Sequence, residues 1–221
     1  MSKLQSIKEK RVMREMTLFN KNKPEGVYLS YKEDNLMKFK AMIIGPEDTP
    51  YQYGYYFFDF SIPDDYPFSP PKANFHTKPT PSRCNPNLYL CGKVCVSILN
   101  TAWGGAEWSS SISFFSMMVS IQTILNKYPF RNQTFGENLP IEQCEQYNVK
   151  VKKYNLRYIR EAINHDDYPE FRYHIMESFL KNYEKICTDY PSENFATEKE
   201  KAENYLKNTT VEDSYGDFIV L

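Results

Sequence analysis

From Met37 to Ile43 the apolar residues Met37, Phe39, Ala41 and Ile43 alternate with Lys38, Lys40 and Met42. A period of two puts one face of an extended strand in a core and the other outside it. The same period returns where Tyr56, Phe58, Phe60 and Ile62 alternate with Phe57, Asp59 and Ser61. Between the two stretches, Gly45-Pro46-Glu47-Asp48-Thr49-Pro50 breaks the chain, and strands this close in sequence pair as antiparallel neighbours. Upstream, the polar turn Asn22-Lys23-Pro24-Glu25-Gly26 leads into a strand over Val27 to Tyr31. Downstream, Pro63 to Pro71 holds too much proline for regular structure, and Lys72 to His76 has room for a short fourth strand only. The economical arrangement is a four-stranded antiparallel meander with one buried face.

Helices are expected on both sides of this meander. Ser2 with Gln5 can form a capping box ahead of a helix to about Phe19. Its apolar side carries Leu4, Ile7, Val12, Met16 and Phe19, and its other side Lys8, Lys10, Arg11 and Arg14. Ser109-Ser110-Ser111 offers N-caps to a segment with Ile112, Phe114, Phe115, Met117, Met118, Val119, Ile121, Ile124 and Leu125. A helix apolar all round is expected to lie buried against the sheet. Pro140 and Pro169 stand where helices would begin over about Ile141 to Ile163 and Glu170 to Cys187. From Pro191 the chain turns polar and reads as a weakly ordered or helical tail. The fold class is α+β, divided as a core over residues 1–165, a helical extension over 166–190 and the tail over 191–221.

Composition narrows the function. Twenty-seven Lys and Arg against twenty-eight Asp and Glu leave a formal net charge of -1, so no global positive field argues for nucleic acid or an anionic membrane. No apolar run approaches the roughly 20 residues that span a bilayer, and the first residues lack the apolar core of a secretory signal. The five cysteines, Cys84, Cys91, Cys95, Cys144 and Cys187, are odd in number and unevenly spaced. That pattern suits a reducing compartment, the cytoplasm first with the nucleus as the alternative, better than a disulfide framework.

Cys95 stands apart from the other four. It lies in Asn85-Pro86-Asn87-Leu88-Tyr89-Leu90-Cys91-Gly92-Lys93-Val94-Cys95-Val96-Ser97-Ile98-Leu99, eight residues after an asparagine and ahead of an apolar run. Cys84, Cys144 and Cys187 read as small buried hydrophobes, and packing is also the first reading of Cys91. His76, Cys84, Cys91 and Cys95 could be drawn as a zinc quartet, but they lack the paired Cys-x-x-Cys knuckles of such sites, and no metal is expected. Papain-like catalysis would need a histidine beside the thiol. Only His76, His165 and His174 exist, the last two in expected C-terminal helices.

The Cys95 segment resembles the active-site signature of ubiquitin-conjugating enzymes. Three further motifs extend the likeness: Lys10 to Met16 to the first-helix basic motif, Asp64 to Pro71 to the Pro-rich loop, and Trp108-Ser109 to the Trp-Ser before the buried helix. The resemblance runs from about Ser6 to Tyr190 and implies the ubiquitin-conjugating (UBC) fold. Asn85 where most members have histidine, the Leu99-Asn100-Thr101-Ala102-Trp103-Gly104 insertion, and Ser178-Phe179-Leu180 look like the Z subfamily, whose members carry ubiquitin or a tandem ubiquitin-like modifier.

What the resemblance implies is a thioester carrier without metal or organic cofactor, ATP being used by the activating enzyme. Cys95 would accept activated ubiquitin or a ubiquitin-like modifier and pass it to a ligase cysteine or a substrate lysine. Asn87 matches the asparagine assigned to the oxyanion, a donor able to contribute on the order of 3 kcal/mol, with a structural role in the loop as the competing account. Tyr89 matches an aromatic on the acceptor path. The acid or serine usual after the buried helix is missing from Tyr128 to Gln133, leaving Asn132 as the nearest polar candidate. Lys8, Arg11 and Arg14 would meet the acidic domain of an activating enzyme. Phe68, with Ser109 and Ser110 on the companion loop, would meet RING or HECT ligases. The rival expectation is a non-catalytic ubiquitin-binding scaffold on the same fold, and a third is an unrelated thiol hydrolase.

Overall fold

The computed structural model describes residues 3–76, 82–102 and 104–221, with side chains from residue 7 onward. The capping pair expected at Ser2 and Gln5 lies outside the described residues and side chains, as does Trp103. Helix α1 runs Lys3–Lys21, followed by strands β1 Val27–Lys32, β2 Asn35–Ile44, β3 Tyr55–Ser61 and β4 Lys72–Phe75. After the loop that carries Cys95 come α2 Phe114–Gln122, α3 Ile141–Asn164, α4 Arg172–Lys181, α5 Tyr183–Asp189, α6 Ala196–Asn208, α7 Val211–Tyr215 and strand β5 Phe218–Val220. Among the described residues no helix is long and apolar enough to cross a membrane.

The expected meander is present and carries one strand more. The sheet order is β4-β3-β2-β1-β5 and every pairing is antiparallel. β5 comes from the stretch read as a tail: Ser30 faces Val220, and Leu221 exchanges backbone hydrogen bonds with Leu29 at 2.8 and 3.3 Å. The rest of that stretch forms α6 and α7, so the charged residues 191–221 fold back onto the protein.

Two cores flank the sheet. On one side Leu29, Phe39, Ala41, Phe58 and Phe60 pack with Val12, Met16 and Phe19 of α1 and Phe114, Met117, Met118 and Ile121 of α2. On the other, Met42, Tyr55 and Phe57 pack with Ile159 and Ile163 of α3, Ile175 and Phe179 of α4, and Ala202 of α6. Half-burial of β3 therefore fails over Tyr55 to Phe58, which are buried on both faces. The period of two was legible because only one face is covered near Asp59 and Ser61.

Three helix expectations change. The N-cap of α2 is Ser113, whose hydroxyl accepts from Ser116 N, rather than one of Ser109 to Ser111. α2 is buried on one face only, since Phe115 is exposed. The helix expected from Glu170 to Cys187 is a short 3-10 turn over Pro169–Phe171 and then two helices, broken at Asn182. Burial of Glu15 also has a cause: its carboxylate pairs with Arg11 Nε at 2.8 Å and accepts from Phe114 N, the first amide of α2, at 3.0 Å.

Candidate active site

Cys95 sits in a loop without regular structure that is nonetheless held at several points. Its amide donates to Asn87 O at 2.8 Å, and Asn87 Nδ2 donates back to Cys95 O at 2.7 Å. The half-buried thiol donates to Thr101 O at 3.4 Å. Thr101 Oγ1 in turn donates to Val94 O, 2.6 Å away, and accepts from Val96 N at 3.0 Å. One side chain thus grips the residues on both sides of the cysteine. Ahead of it the chain doubles back through Gly92, whose φ of +87 and whose close approach to Asn74 leave no room for a side chain: a Cβ there would stand 2.0 Å from Asn74 Oδ1.

Asn85 anchors this loop from below. It is wholly buried; its Oδ1 accepts from Asn87 N at 2.8 Å, and its Nδ2 donates to Tyr51 OH at 2.8 Å and Ile124 O at 2.7 Å. Burial pushes the Tyr51 hydroxyl far above the usual tyrosine range, so it stays protonated and donates to Cys84 O at 3.0 Å. Ile124 O also accepts from Asn132 Nδ2 at 2.9 Å, while Asn132 Oδ1 accepts from Asn126 Nδ2 at 2.8 Å. Asn85, Asn87, Asn132 and Cys95 therefore belong to one hydrogen-bonded framework, and the Asn132 amide serves as a strut within it. Tyr89 stands apart from the thiol's hydrogen bonds, its ring 3.6 Å from the Arg83 guanidinium and 5.6 Å from Lys93 Nζ.

A second loop reaches toward the same end of the molecule. Phe68 is 71% exposed, on a turn closed by Phe68 N donating to Asp65 O at 2.9 Å. Trp108 Nε1 donates to Pro67 O at 2.8 Å, and Trp108 N donates to Asn100 Oδ1 at 2.9 Å. Asn100 follows the turn Ser97–Leu99 after Cys95, so a chain of hydrogen bonds joins the cysteine loop to the Phe68 loop. Ser109 and Ser110 lie exposed beside Trp108, with the Ser109 hydroxyl 2.8 Å from that of Ser111.

Residues 11–160 match the family model for ubiquitin-conjugating enzymes. The chain belongs to that family. It is similar to ubiquitin-conjugating enzyme E2 Z of Xenopus tropicalis, 36% identical over 157 residues, which cover 71% of this chain and 46% of that protein. The E2 Z of Danio rerio is 33% identical over 198 residues, 81% of this chain and 57% of the relative. A putative ubiquitin-conjugating enzyme, E2 39, of Arabidopsis thaliana is 37% identical over 158 residues, 67% of this chain and 49% of the relative. The chain spans about half the length of these curated relatives. The α+β ubiquitin-conjugating fold and the tie to the Z branch thus rest on sequence and architecture together.

The basic face expected on α1 is partly internal. Lys8 is 8% exposed, with its ammonium 3.1 Å from Asp64, and Arg11 pairs with Glu15 and donates to Ile112 O at 3.2 Å. Of the three expected contacts, Arg14 alone is exposed, beside exposed Lys10. Among the other cysteines, Cys84 and Cys144 are buried, Cys187 is half buried, and Cys91 is exposed rather than packed. Burial pushes the Cys84 thiol up to about 12, which leaves it inert. No group of three or more His, Cys, Asp and Glu among the described residues is arranged to hold a metal ion.

Two residues that position the site were not singled out from the sequence, Thr101 and Asn100. Both lie in the insertion after Leu99, read there only as a mark of the subfamily. Ser, Thr and Asn in loops commonly bond to nearby backbone, but nothing in the order of residues says that Thr101 reaches back to Val94.

Proposed function

We propose that this chain carries ubiquitin or a ubiquitin-like modifier as a thioester on Cys95 and hands it to a ligase cysteine or a substrate lysine. The observation that supports it is the pairing of Cys95 with Asn87, with the thiol half exposed at the top of a fixed loop. In loading, the Cys95 thiolate attacks the carbonyl of the activating enzyme's thioester. A new C–S bond forms, the old one breaks, and the thiolate that leaves is of the same kind, so the exchange is close to neutral in energy. In the second transfer a tetrahedral oxyanion develops at the same carbonyl. Asn87 Nδ2 has a second N–H beyond the one given to Cys95 O, which can be turned to that oxyanion. Its structural role and its catalytic role are then compatible.

Arg14, exposed beside Lys10, is the one of the three expected α1 residues left to meet an acidic domain of the activating enzyme, and Phe68 with Ser109 and Ser110 is the surface for a ligase. Asn132 is committed to Ile124 and Asn126 and has no acid beside it in the Tyr128 to Gln133 turn. Transfer to a ligase cysteine, which needs no deprotonation of an amine, is therefore the favoured second step.

Incubation with ATP, ubiquitin and each type of activating enzyme, read on gels with and without reductant, tests the reading. The protein should form a reductant-sensitive adduct that Cys95→Ala abolishes and Cys95→Ser replaces with a more resistant ester. Folded protein that takes up no modifier from any activating enzyme would refute it and leave the scaffold reading.

A further inference from the structure

Charge is unevenly laid out along the chain. Residues 161–221 hold fourteen Asp and Glu against six Lys and Arg, while residues 66–160 hold eleven Lys and Arg against four Asp and Glu. The stretch 66–106, which carries Cys95 and the loop around it, contains no acidic residue. Cations of this part of the chain gather beside the cysteine. Leu88 and Val94 stand opposite each other as an antiparallel pair, bracketed by Tyr89 N donating to Lys93 O at 3.0 Å and Cys95 N donating to Asn87 O at 2.8 Å. Both are buried, so Asn87, Tyr89, Lys93 and Cys95 fall on the other side of the loop. Lys93 is then about 7 Å from Cys95 along the chain. The Arg83 guanidinium covers the Tyr89 ring, 3.6 Å from its centroid, and Lys93 Nζ is 5.6 Å from the same ring.

From Arg83 the positive surface passes to α3. Ser82, its neighbour in sequence, shares a hydrogen bond with the Tyr154 hydroxyl, and Lys150, one turn before Tyr154, holds its ammonium 5.8 Å from that ring. Lys150, Lys153 and Arg157 follow at intervals of three and four, so they share one face of the helix over about 10 Å. These three, with Arg83 and Lys93, are exposed, and none of the five has an ion-pair partner among the described residues. Residues 146–160 contain no acid, and Glu161, the first beyond them, is turned to His165 at 3.6 Å. Like charges at this spacing destabilise a helix, and nothing within the fold offsets them.

We propose that this cationic strip docks an acidic segment of the acceptor protein, so that the group taking the modifier reaches Cys95 from a chain rich in Asp and Glu. The proposal rests on the thioester chemistry proposed above for Cys95. The sign of the charge selects an anionic partner, and the form of the strip selects carboxylates over nucleic acid. A guanidinium stacked on a ring keeps its edge donors free for a carboxylate. Nucleic acid would need open aromatic faces on which bases stack. Tyr89 is covered by Arg83, and the half-buried Tyr154 has its hydroxyl bonded to Ser82 and Lys150 beside its ring. An extended run of about six acidic residues spans about 20 Å, enough to set carboxylates against the loop and α3 together.

The test uses the whole chain and two fluorescein-labelled peptides, each with one internal cysteine followed by about six glutamates or as many glutamines, the length that spans the strip. Binding to the unloaded protein is followed by fluorescence anisotropy with serine in place of the peptide's cysteine, and discharge of ubiquitin from loaded Cys95 onto the cysteine peptides by mass spectrometry. The glutamate peptide should bind saturably and weaken as salt rises from about 50 to about 500 mM. At low salt it should discharge Cys95 about tenfold faster than the glutamine peptide, the joint effect of several exposed ion pairs. Lys150→Glu with Lys153→Glu should remove both preferences with the melting curve kept, while Lys150→Arg with Lys153→Arg retains them. Loading of Cys95 and its discharge onto free cysteine should be unchanged in both variants. No saturable binding, equal binding of the glutamine peptide, indifference to the glutamate substitutions, or a preference in binding without one in discharge overturns the proposal. So does tighter binding of single-stranded RNA. Protein that binds the glutamate peptide with these charge requirements but takes up no ubiquitin refutes the thioester reading and supports the docking.

Discussion

Asn85→Asp keeps the shape of the side chain and reverses one end of its chemistry. The acceptor toward Asn87 N is retained, but the donor toward Tyr51 OH and Ile124 O becomes an oxygen. That oxygen would sit 2.7 Å from the Ile124 carbonyl oxygen and 2.8 Å from a Tyr51 hydroxyl whose hydrogen is already given to Cys84 O. Two hydrogen bonds are lost at about 1 kcal/mol each, and a carboxylate is placed unpaired at a wholly buried position, for a total of about 4 kcal/mol at neutral pH. For a chain of this size that lowers the melting temperature by about 8–16 °C. The sign with pH is the discriminating feature. Burial against a carbonyl raises the carboxyl's folded-state pKa above its unfolded value, so the penalty is full above the folded pKa and fades as pH falls toward the unfolded one near 4. Once protonated, the acid can donate to Ile124 O as the amide did. Calorimetric melts of parent and variant at pH 7.5 and pH 5 should therefore converge on acidification, and Cys95 loading at neutral pH should fall with the stability of the loop. A variant that melts within about 2 °C of the parent at pH 7.5, or whose deficit is the same at both pH values, would show that Asn85 does not hold the loop through its donors.

Phe68→Ala should leave the melting temperature within about 1–2 °C of the parent, since the ring is 71% exposed, while ligase-stimulated discharge of the loaded protein falls severalfold and loading itself does not change. Gly54→Ala should destabilise by about 3 kcal/mol in urea melts. The new Cβ would stand 1.8 Å from Asn155 Oδ1, and Asn155 is fixed by Tyr56 OH at 2.6 Å and Gln52 O at 2.8 Å. His174 is stacked on Tyr28 at 4.4 Å, hydrogen-bonded to Tyr215 OH at 3.0 Å, with Glu177 at 4.0 Å and Lys23 nearby; burial first, then Lys23, lower its pKa to about 4. A depressed folded pKa makes stability complete above the unfolded value near 6.5 and lost as pH falls toward 4. The loss of about 2–3 kcal/mol should be absent from His174→Gln in pH-dependent melts.

The inner face of the sheet was legible because the residues that make it also report it: Phe39, Ala41, Phe58 and Phe60 alternate with groups that stay at the surface. The outer face was not, because Tyr55 and Phe57 are covered by α3, α4 and α6, segments far downstream whose docking leaves no trace in the period of β3. β5 was hidden for a related reason. Three apolar residues have no period to read, and their partner β1 lies at the other end of the chain. The α1 charges show the opposite failure, for a run of Lys and Arg reads as a solvated face whatever lies opposite it; Glu15 stands four residues after Arg11 and could have been paired with it from the sequence, but Asp64 meets Lys8 only once the chain is folded.

At the site, the letters were visible and the bonds were not. Cys95, Asn87 and Asn85 stand in a recognisable motif, yet the sequence does not show which of Asn87's groups faces the cysteine or that Asn85 and Asn132 share the Ile124 carbonyl. That shared carbonyl changes the chemistry expected of Asn132. A group meant to orient an incoming amine must exchange its partners for that amine during the reaction. The Asn132 amide, held at 2.9 Å by Ile124 O and at 2.8 Å by Asn126, would have to leave Ile124 O, the carbonyl that also fixes Asn85 beneath the cysteine loop. Under the proposed thioester chemistry, the same hydrogen bonds that hold the Cys95 loop work against recruiting Asn132 to a lysine, and acceptor chemistry would shift toward groups that arrive already nucleophilic.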